Sequence, residues 1–261
     1  MTSQSAGSEQ RGDFVDANGV RTYFEVDGTG APLVLLHGGL CAIETLAGLR
    51  SELARSYRVY MPERRGHGRT PDVDGPYSYE QFAEDTIAFM DAVGLASAHF
   101  VGFSDGATIS LLVALSRPDL VTTLVHIGQQ VNPDGVRSEF RDVLKLEAMP
   151  QGMLPPMLRE LYAALSPDGP DHWDVVTAKA WQMMTSSPNI ELATLASVVA
   201  PTLVMVGDDD FTPESHAKEI AAAVPHGEVV VVPNATHALP MEQPDTVAQL
   251  VASFIARTNE A

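Results

Sequence analysis

The sequence has one cysteine, few basic residues and no long apolar run. Cys41 is the only cysteine among 261 residues, which excludes an intramolecular disulfide and any cysteine-based metal motif. No apolar stretch approaches the roughly 18 residues that cross a bilayer. Residues 1–12 are polar and lack the apolar core of a signal peptide. These absences predict a cytoplasmic protein with a disordered tail over residues 1–12.

Acidic residues outnumber basic ones, 34 to 16, and the net charge is −18. A negative charge of this size opposes binding to nucleic acid and to anionic membranes, so we expect neither as a partner. Two roles for the net negative charge are possible from sequence: it attracts small cationic molecules, or it serves solubility alone. No pair of histidines has metal-ligand spacing on a helix face, so no metal is expected. The expected partner is a small-molecule substrate, and the oligomeric state is left open. Four histidines are expected to be exposed: His67, His172, His216 and His226.

Strand-like and helical patterns alternate along most of the chain. Residues 131–190 interrupt this alternation, because they contain no strand-like run and prolines separate their short helical pieces. Alternating strands and helices predict an α/β fold with a parallel sheet. We therefore predict a core formed by residues 13–130 and 191–261, with a helical cap over residues 131–190.

One pentapeptide, Gly102-Phe103-Ser104-Asp105-Gly106, carries the strongest chemical signal. It lies between an apolar strand and an apolar helix, which is the setting of a nucleophile elbow. The glycines allow close backbone approach, and the turn lifts the serine hydroxyl to a helix N-terminus. The pattern predicts that Ser104 is a nucleophile.

A serine hydroxyl needs a base, and the base needs a third group that orients it. Asp210 and His237 follow Ser104 in the chain, each just past a predicted strand. The carboxyl ends of parallel strands meet at one edge, so the three side chains are predicted to form a catalytic triad. Asp134, which follows an earlier strand, is the alternative acid.

Five motifs occur in order along the chain: His37-Gly38-Gly39, Arg65-Gly66-His67-Gly68, Gly102-x-Ser104-x-Gly106, Gly207-x-x-Asp210 and His237. In these motifs the chain resembles the α/β-hydrolase superfamily over about residues 14–256. The resemblance implies an α/β-hydrolase fold, a mostly parallel eight-stranded sheet with helices on both faces and a helical cap insertion. It also implies a serine hydrolase without a cofactor. Its oxyanion hole would use the backbone N–H groups of Gly39 and Asp105, with Leu40 as the alternative to Gly39.

Asp105 directly follows the serine, and Gly-x-Ser-Asp-Gly resembles the valacyclovirase, or biphenyl-hydrolase-like, branch of the superfamily. That resemblance implies that Asp105 binds the ammonium group of an α-amino ester, which a carboxylate can do through a charge-assisted hydrogen bond. The alternative is that an acidic residue in the first helical turn favours the helix dipole.

The cap carries an apolar stripe at near-helical spacing that includes Trp181 and Met184. The stripe either packs the cap on the core or forms a wall of the substrate pocket. The candidate substrate-binding residues are therefore Asp105, Leu40, Trp181 and Met184. Arg65 is interpreted as a scaffold residue, and Cys41 as a small buried apolar group.

The predicted function is hydrolysis of a small carboxylic ester or lactone through an acyl-enzyme intermediate. A perhydrolase or haloperoxidase-like activity and C–C bond hydrolysis are alternatives on the same triad. A further alternative is a small-molecule sensor built on a hydrolase scaffold.

Overall fold

The computed structural model describes residues 12–260. Within these residues the strands are β1 Gly12–Ala17, β2 Val20–Asp27, β3 Ala31–Leu36, β4 Tyr57–Pro62, β5 Ala98–Phe103, β6 Val121–Ile127, β7 Thr202–Asp209 and β8 Gly227–Thr236. The α-helices are α1 Ala47–Leu53, α2 Tyr79–Ala92, α3 Asp105–Ser116, α4 Ser138–Val143, α5 Pro156–Leu165, α6 Trp173–Ser186, α7 Glu214–Ala223, α8 Leu239–Glu242 and α9 Pro244–Glu260. The predicted tail over residues 1–12 lies outside the described residues, except that Gly12 begins β1.

The strands form one sheet in the order β1-β2-β4-β3-β5-β6-β7-β8. Strand β2 pairs antiparallel with β1 and with β4, and every other neighbouring pair is parallel. The mostly parallel eight-stranded sheet implied by the resemblance is confirmed. Because the central strands are parallel, the loops after β3, β5, β7 and β8 all leave from the same edge.

The central strands are buried on both faces, and their side chains alternate between two hydrophobic clusters. In β3, Leu33 and Leu35 belong to one cluster, whereas Val34 and Leu36 belong to the other. This alternation follows from the two-residue repeat of a strand. It explains why β3 has an uninterrupted apolar sequence, since both of its faces are covered.

Helices cover both faces of the sheet. Leu49 of α1 and Phe254 of α9 pack in the cluster on one face. Phe82 of α2, Ile109 of α3 and Ile220 of α7 pack in the cluster on the other. Within residues 12–260, no helix combines the length and the apolar character that a membrane-spanning segment needs.

The segment between β6 and β7, which is described throughout, holds α4, α5 and α6 and no strand. A buried carboxylate connects it to the core: Asp72 accepts hydrogen bonds from Lys179 Nζ at 2.6 Å, His172 Nε2 at 2.8 Å and Tyr77 Oη at 2.8 Å. Burial by itself would raise the pKa of Asp72, but the hydrogen bonds from Lys179, His172 and Tyr77 lower it overall. Two of these three donors lie in the segment, so they anchor it to the loop after β4.

Candidate active site

Ser104 lies in a sharp turn between β5 and α3, with φ 54° and ψ −123°. This left-handed backbone conformation is strained for a residue with a side chain. The flanking glycines make the turn possible: a Cβ at Gly102 would collide with the backbone of Gly106, and one at Gly106 with the backbone of Leu36. The Ser104 amide donates to Ile127 O at 2.9 Å, which ties the turn to the neighbouring strand.

Ser104, His237 and Asp210 form a hydrogen-bonded series. His237 Nε2 lies 3.1 Å from Ser104 Oγ, and His237 Nδ1 lies 3.1 Å from Asp210 Oδ1. These partners assign the proton of the neutral imidazole to Nδ1, where it is donated to Asp210, and leave Nε2 to accept the Ser104 hydroxyl. The Asp210 side chain is fully buried, and its Oδ1 also accepts the Thr212 amide at 3.1 Å. The structure thus brings together three side chains that are far apart in sequence.

Strand ends position Asp210 and His237. Strand β7 ends at Asp209 and β8 ends at Thr236, so Asp210 and His237 each follow a strand directly. Aromatic rings then hold the imidazole. The ring centroid of Phe211 lies 4.1 Å from that of His237, and the Phe103 centroid lies 5.1 Å from it. Sequence reasoning did not identify these two contacts.

The three consecutive aspartates have different environments. Both oxygens of Asp208 accept backbone amides, from Asn234 at 3.0 Å and Ala235 at 3.1 Å. Asp209 is exposed and pairs with Arg137. Only the third, Asp210, contacts His237.

The alternative acid, Asp134, lies elsewhere. Its carboxylate is 93% exposed and lies 3.6 Å from Arg141. The structure therefore does not bring Asp134 to the imidazole.

The loop after β3 packs against the elbow. A Cβ at Gly39 would collide with Asp105 Oδ2 and with the terminal methyl of Met184, so both side chains would have to shift to admit a larger residue. The Leu40 amide donates to His67 Nε2 at 3.0 Å, so the alternative oxyanion donor is already engaged. Asp105 begins α3, where backbone N–H groups have no intrahelical acceptor.

The Asp105 carboxylate is 2% exposed. Its Oδ1 accepts the Tyr79 hydroxyl at 2.7 Å, and among the described residues its Oδ2 has no partner. Burial raises the pKa of Asp105, and the positive charge of Arg64 opposes that shift.

Arg64 and His67 are the main residues that sequence reasoning missed. Arg64 donates to the carbonyls of His37 at 2.5 Å and Gly38 at 2.6 Å. His67 is 2% exposed, so its predicted exposure is wrong. The same correction applies to His216, which is 4% exposed and accepts the Val131 amide. The sequence around His67 and His216 does not indicate burial, because the residues that cover these two histidines are distant in sequence.

His67 is held as a neutral imidazole. Its Nε2 accepts from Leu40, and its Nδ1 donates to Arg65 O at 2.9 Å. Burial, assisted by the positive charge of Arg64, lowers its pKa to about 3. A histidine in an unfolded chain has a pKa of about 6.5, so at acidic pH the unfolded chain binds the proton and the folded chain does not. The neutral His67 therefore contributes to the free energy of unfolding above pH 6.5, and this contribution is lost as the pH falls towards 3.

We expect the free energy of unfolding to fall between pH 6.5 and pH 4, and the replacement His67→Gln to make that fall shallower. The glutamine oxygen can accept the Leu40 amide but does not titrate. Each histidine of this kind contributes a slope of up to about 1.4 kcal/mol per pH unit. Urea unfolding at four pH values measures this pH dependence of the free energy of unfolding. The exposed His226→Gln is the control and should keep the wild-type slope; an unchanged slope in His67→Gln would contradict the assignment.

A cavity of about 180 Å³ opens beside Met184. Its lining also includes Gln130, Arg141, Leu144 and Lys145. Met184 is half-buried and lies between this cavity and Gly39. Met184 is thus the predicted pocket residue that borders both this cavity and Gly39.

Two other predicted pocket residues lie elsewhere. Trp181 is 3% exposed and donates from Nε1 to Leu146 O at 3.0 Å, so it packs within the segment between β6 and β7 and does not line the cavity. Leu40 is also buried and borders a separate space of about 10 Å³, which is about the volume one water molecule requires. The structure does not support contact of either side chain with a ligand in the 180 Å³ cavity.

Cys41 is buried, as the sequence interpretation has it, and neither Cys41 nor Arg65 belongs to the hydrogen-bonded series of Ser104, His237 and Asp210. Burial raises the pKa of the Cys41 thiol to about 11, which makes it a poor nucleophile. Arg65 makes two hydrogen bonds of 2.6 Å to the Asp85 carboxylate. Within residues 12–260, no group of three or more His, Cys, Asp and Glu side chains is arranged to hold a metal ion.

Comparisons with known proteins agree with this architecture. Residues 33–250 match the alpha/beta hydrolase family. The chain is 26% identical over 267 residues to 2-hydroxy-6-oxo-6-(2'-aminophenyl)hexa-2,4-dienoic acid hydrolase of Metapseudomonas resinovorans, covering 94% of this chain and 90% of that protein. It is also 26% identical over 287 residues to rhodomycin D methylesterase DauP of Streptomyces sp. (strain C5), covering 90% and 93%.

A solved structure, the meta-cleavage product hydrolase CumD of Pseudomonas fluorescens IP01, has the same fold. It superposes with a TM-score of 0.78 at 21% identity and covers 96% of this chain and 99% of that chain. The family match spans most of the sequence, including the elbow and Asp210 and His237. The chain therefore belongs to the alpha/beta hydrolase family.

Proposed function

We propose that the protein hydrolyses a small carboxylic ester or lactone through an acyl-enzyme intermediate on Ser104. The observation that carries the proposal is the continuous series of hydrogen bonds from Ser104 Oγ through His237 to Asp210. In this reaction His237 Nε2 takes the hydroxyl proton as Ser104 Oγ attacks the substrate carbonyl carbon. Asp210 keeps the imidazole in the required tautomer and stabilises the imidazolium that forms.

The negative charge that develops on the carbonyl oxygen requires two donors. The backbone N–H groups of Gly39 and Asp105 are our candidates, since Asp105 directly follows Ser104 and Gly39 follows Gly38, which lies against the Ser104 side chain. The tetrahedral intermediate collapses when the C–O bond to the leaving alcohol breaks and His237 protonates that oxygen. Water then attacks the acyl-enzyme, gives its proton to His237, and releases the carboxylic acid and the Ser104 hydroxyl.

The cavity beside Met184 is our candidate pocket for the acyl group or the alcohol. Its volume of about 180 Å³ is below the range of about 300–1,000 Å³ that is typical of sites for drug-sized ligands. A short acyl chain or a small lactone would fit this volume. Met184 separates the cavity from Gly39, so its side chain would limit how long a group the pocket accepts.

We expect Met184→Ala to shift the preference of the enzyme towards longer acyl chains. Removal of the side chain enlarges the space next to Gly39, and each additional methylene that a pocket accepts is worth about 10-fold or more in kcat/KM. The ratio of kcat/KM for p-nitrophenyl octanoate to that for the acetate should therefore rise by at least about 10-fold.

Met183→Ala is the matched control, because Met183 is 3% exposed and packs in the hydrophobic cluster on one face of the sheet. It should lower stability and leave the ratio unchanged. Equal ratios in the two variants would exclude Met184 from the pocket wall.

The proposed function is tested with p-nitrophenyl acetate, butanoate and octanoate, γ-butyrolactone and a p-nitrophenyl α-amino ester. The amino ester is included because Asp105 Oδ2 is buried and unpartnered among the described residues, as an ammonium acceptor would be. A fluorophosphonate, which reacts with activated serines, measures the nucleophile directly. Sustained turnover with one label per chain, on Ser104, is the expected result. A single burst of product without turnover would favour the sensor, and the absence of both turnover and label would exclude a serine hydrolase.

C–C bond hydrolysis is the second candidate. The relative from Metapseudomonas resinovorans is a hydrolase of a dienoic acid, and the cavity of this chain carries two cationic side chains, Arg141 and Lys145, that would suit a carboxylate. An oxo-dienoic acid of that type, added to the same panel, distinguishes the two. If its kcat/KM exceeds that of every ester, the second candidate replaces the first.

A further inference from the structure

Arg64 lies behind the loop that follows β3. Its side chain is nearly inaccessible, with a residue exposure of 5%. Nη1 donates to His37 O at 2.5 Å and Nη2 donates to Gly38 O at 2.6 Å. A guanidinium suits this task because its donors form a rigid planar fork that can reach two acceptors at once.

The second of these hydrogen bonds acts on the peptide group that links Gly38 to Gly39. The C=O of Gly38 and the N–H of Gly39 belong to the same planar trans peptide and point in opposite directions. When Arg64 holds the carbonyl on one side, the N–H must point to the other. The hydrogen bond also draws electron density towards the carbonyl oxygen, which makes the N–H a stronger donor.

A second donor holds the same carbonyl. His37 Nδ1 lies 2.8 Å from Gly38 O, and burial lowers the pKa of His37 well below its ordinary value, so this imidazole donates as a neutral group. Gly38 O is thus held from two directions. Gly39 itself lies near Asp105, the first residue after the elbow serine, because a Cβ at Gly39 would meet the Asp105 carboxylate.

We infer that Arg64 is a positioning residue that orients and polarises the Gly38–Gly39 peptide group, so that the Gly39 N–H stabilises the oxyanion. The inference rests on the proposed function, because it assigns a task within that reaction. The cost of burying the charge is offset in part by Asp105, whose negative charge favours the protonated guanidinium. The Arg64 guanidinium carbon also lies 5.6 Å from the centre of the Phe82 ring, within the range of a cation–π contact.

The test compares Arg64→Lys and Arg64→Gln with Arg65→Lys. Lysine keeps the charge but offers one ammonium in place of the fork, and glutamine removes the charge and keeps one donor group. Arg65 is the matched control, because it is the next residue in the same loop and its fork binds Asp85 rather than the loop after β3. Arg65→Lys should lower the thermal midpoint and leave kcat near the wild-type value.

With p-nitrophenyl acetate, both Arg64 variants should lose about 100-fold in kcat, the loss typical of one oxyanion donor, while KM changes by less than about 3-fold. The second readout is inhibition by 1,1,1-trifluoro-2-butanone, which adds to the serine and forms an oxyanion, compared with inhibition by acetate, which does not add covalently. The affinity for the ketone should fall by the same factor as kcat, and the affinity for acetate should stay unchanged. A merely structural role for Arg64 would weaken both ligands together.

The outcomes separate the inference from the proposed function. Folded Arg64→Lys or Arg64→Gln protein with kcat within 3-fold of wild type would overturn the inference and leave the function standing. An equal loss of kcat in Arg65→Lys would also overturn it. Wild-type protein that neither turns over esters nor reacts with the fluorophosphonate would overturn both.

Discussion

Ser104→Ala is expected to abolish turnover of p-nitrophenyl esters, with a loss in kcat on the order of 10⁶-fold, as when the serine of a comparable triad is removed. Alanine leaves no atom to attack the carbonyl carbon, so His237 has no proton to accept. The substitution removes one oxygen at a half-buried position and should leave the fold intact. Steady-state rates and the stoichiometry of fluorophosphonate labelling measure the effect, and both signals should disappear together.

Ser110→Ala is the matched control for this loss. Ser110 lies in α3, the helix that follows Ser104, is fully buried, and donates from Oγ to Gly106 O at 2.8 Å, but it does not contact His237. This variant should be somewhat less stable and should keep its activity. Turnover in Ser104→Ala at a rate within tenfold of wild type would show that another residue is the nucleophile.

Asp210→Asn is expected to lower kcat by about 10⁴-fold, which is the cost of the wrong histidine tautomer in a triad. The carboxylate accepts the Nδ1 proton of His237, whereas the amide nitrogen of asparagine would donate to Nδ1 and drive the proton to Nε2. A protonated Nε2 cannot accept the proton of Ser104 Oγ. Asparagine has nearly the same shape as aspartate, so the loss should appear in kcat with little change in the thermal midpoint.

Two other aspartates provide the controls. Asp209→Asn changes the adjacent residue, whose carboxylate is exposed and pairs with Arg137. Asp134→Asn changes the alternative acid, which is exposed near Arg141. Both variants should keep kcat within about threefold of wild type. If Asp134→Asn loses as much activity as Asp210→Asn, the acid of the triad is misassigned.

The elbow was accessible from sequence because its requirements are local. Gly102, Ser104 and Gly106 lie within five residues, and the backbone contacts that forbid a Cβ at either glycine arise at the turn and the strand next to it. The sheet was accessible for a similar reason. A strand buried on both faces must be apolar along its length, and Leu33 to Leu36 have that pattern whatever helices cover them.

The roles of adjacent, chemically similar residues were not accessible in this way. Arg64 and Arg65 are identical side chains in the same loop, yet one binds the carbonyls of His37 and Gly38 and the other binds Asp85. No periodicity distinguishes them, because their partners are 20 to 27 residues away in sequence.

The segment between β6 and β7 shows the same limit. Trp181 and Met184 are three residues apart in α6 and were both predicted to line the pocket, but only Met184 reaches the cavity and Gly39. A helical repeat identifies an apolar stripe, whereas the angle at which the helix packs decides which end of the stripe faces the core. That angle depends on contacts such as the one between Lys179 and Asp72, which are 107 residues apart.

The sequence by itself determined the parallel α/β architecture, the position of the elbow and the order of Ser104, Asp210 and His237, because strand periodicity and turn chemistry act over a few residues. Only the tertiary structure decided which arginine holds the loop after β3, and which of Trp181 and Met184 borders Gly39. Those choices depend on distances between residues that are remote along the chain, and such distances are fixed by the packing of the whole molecule.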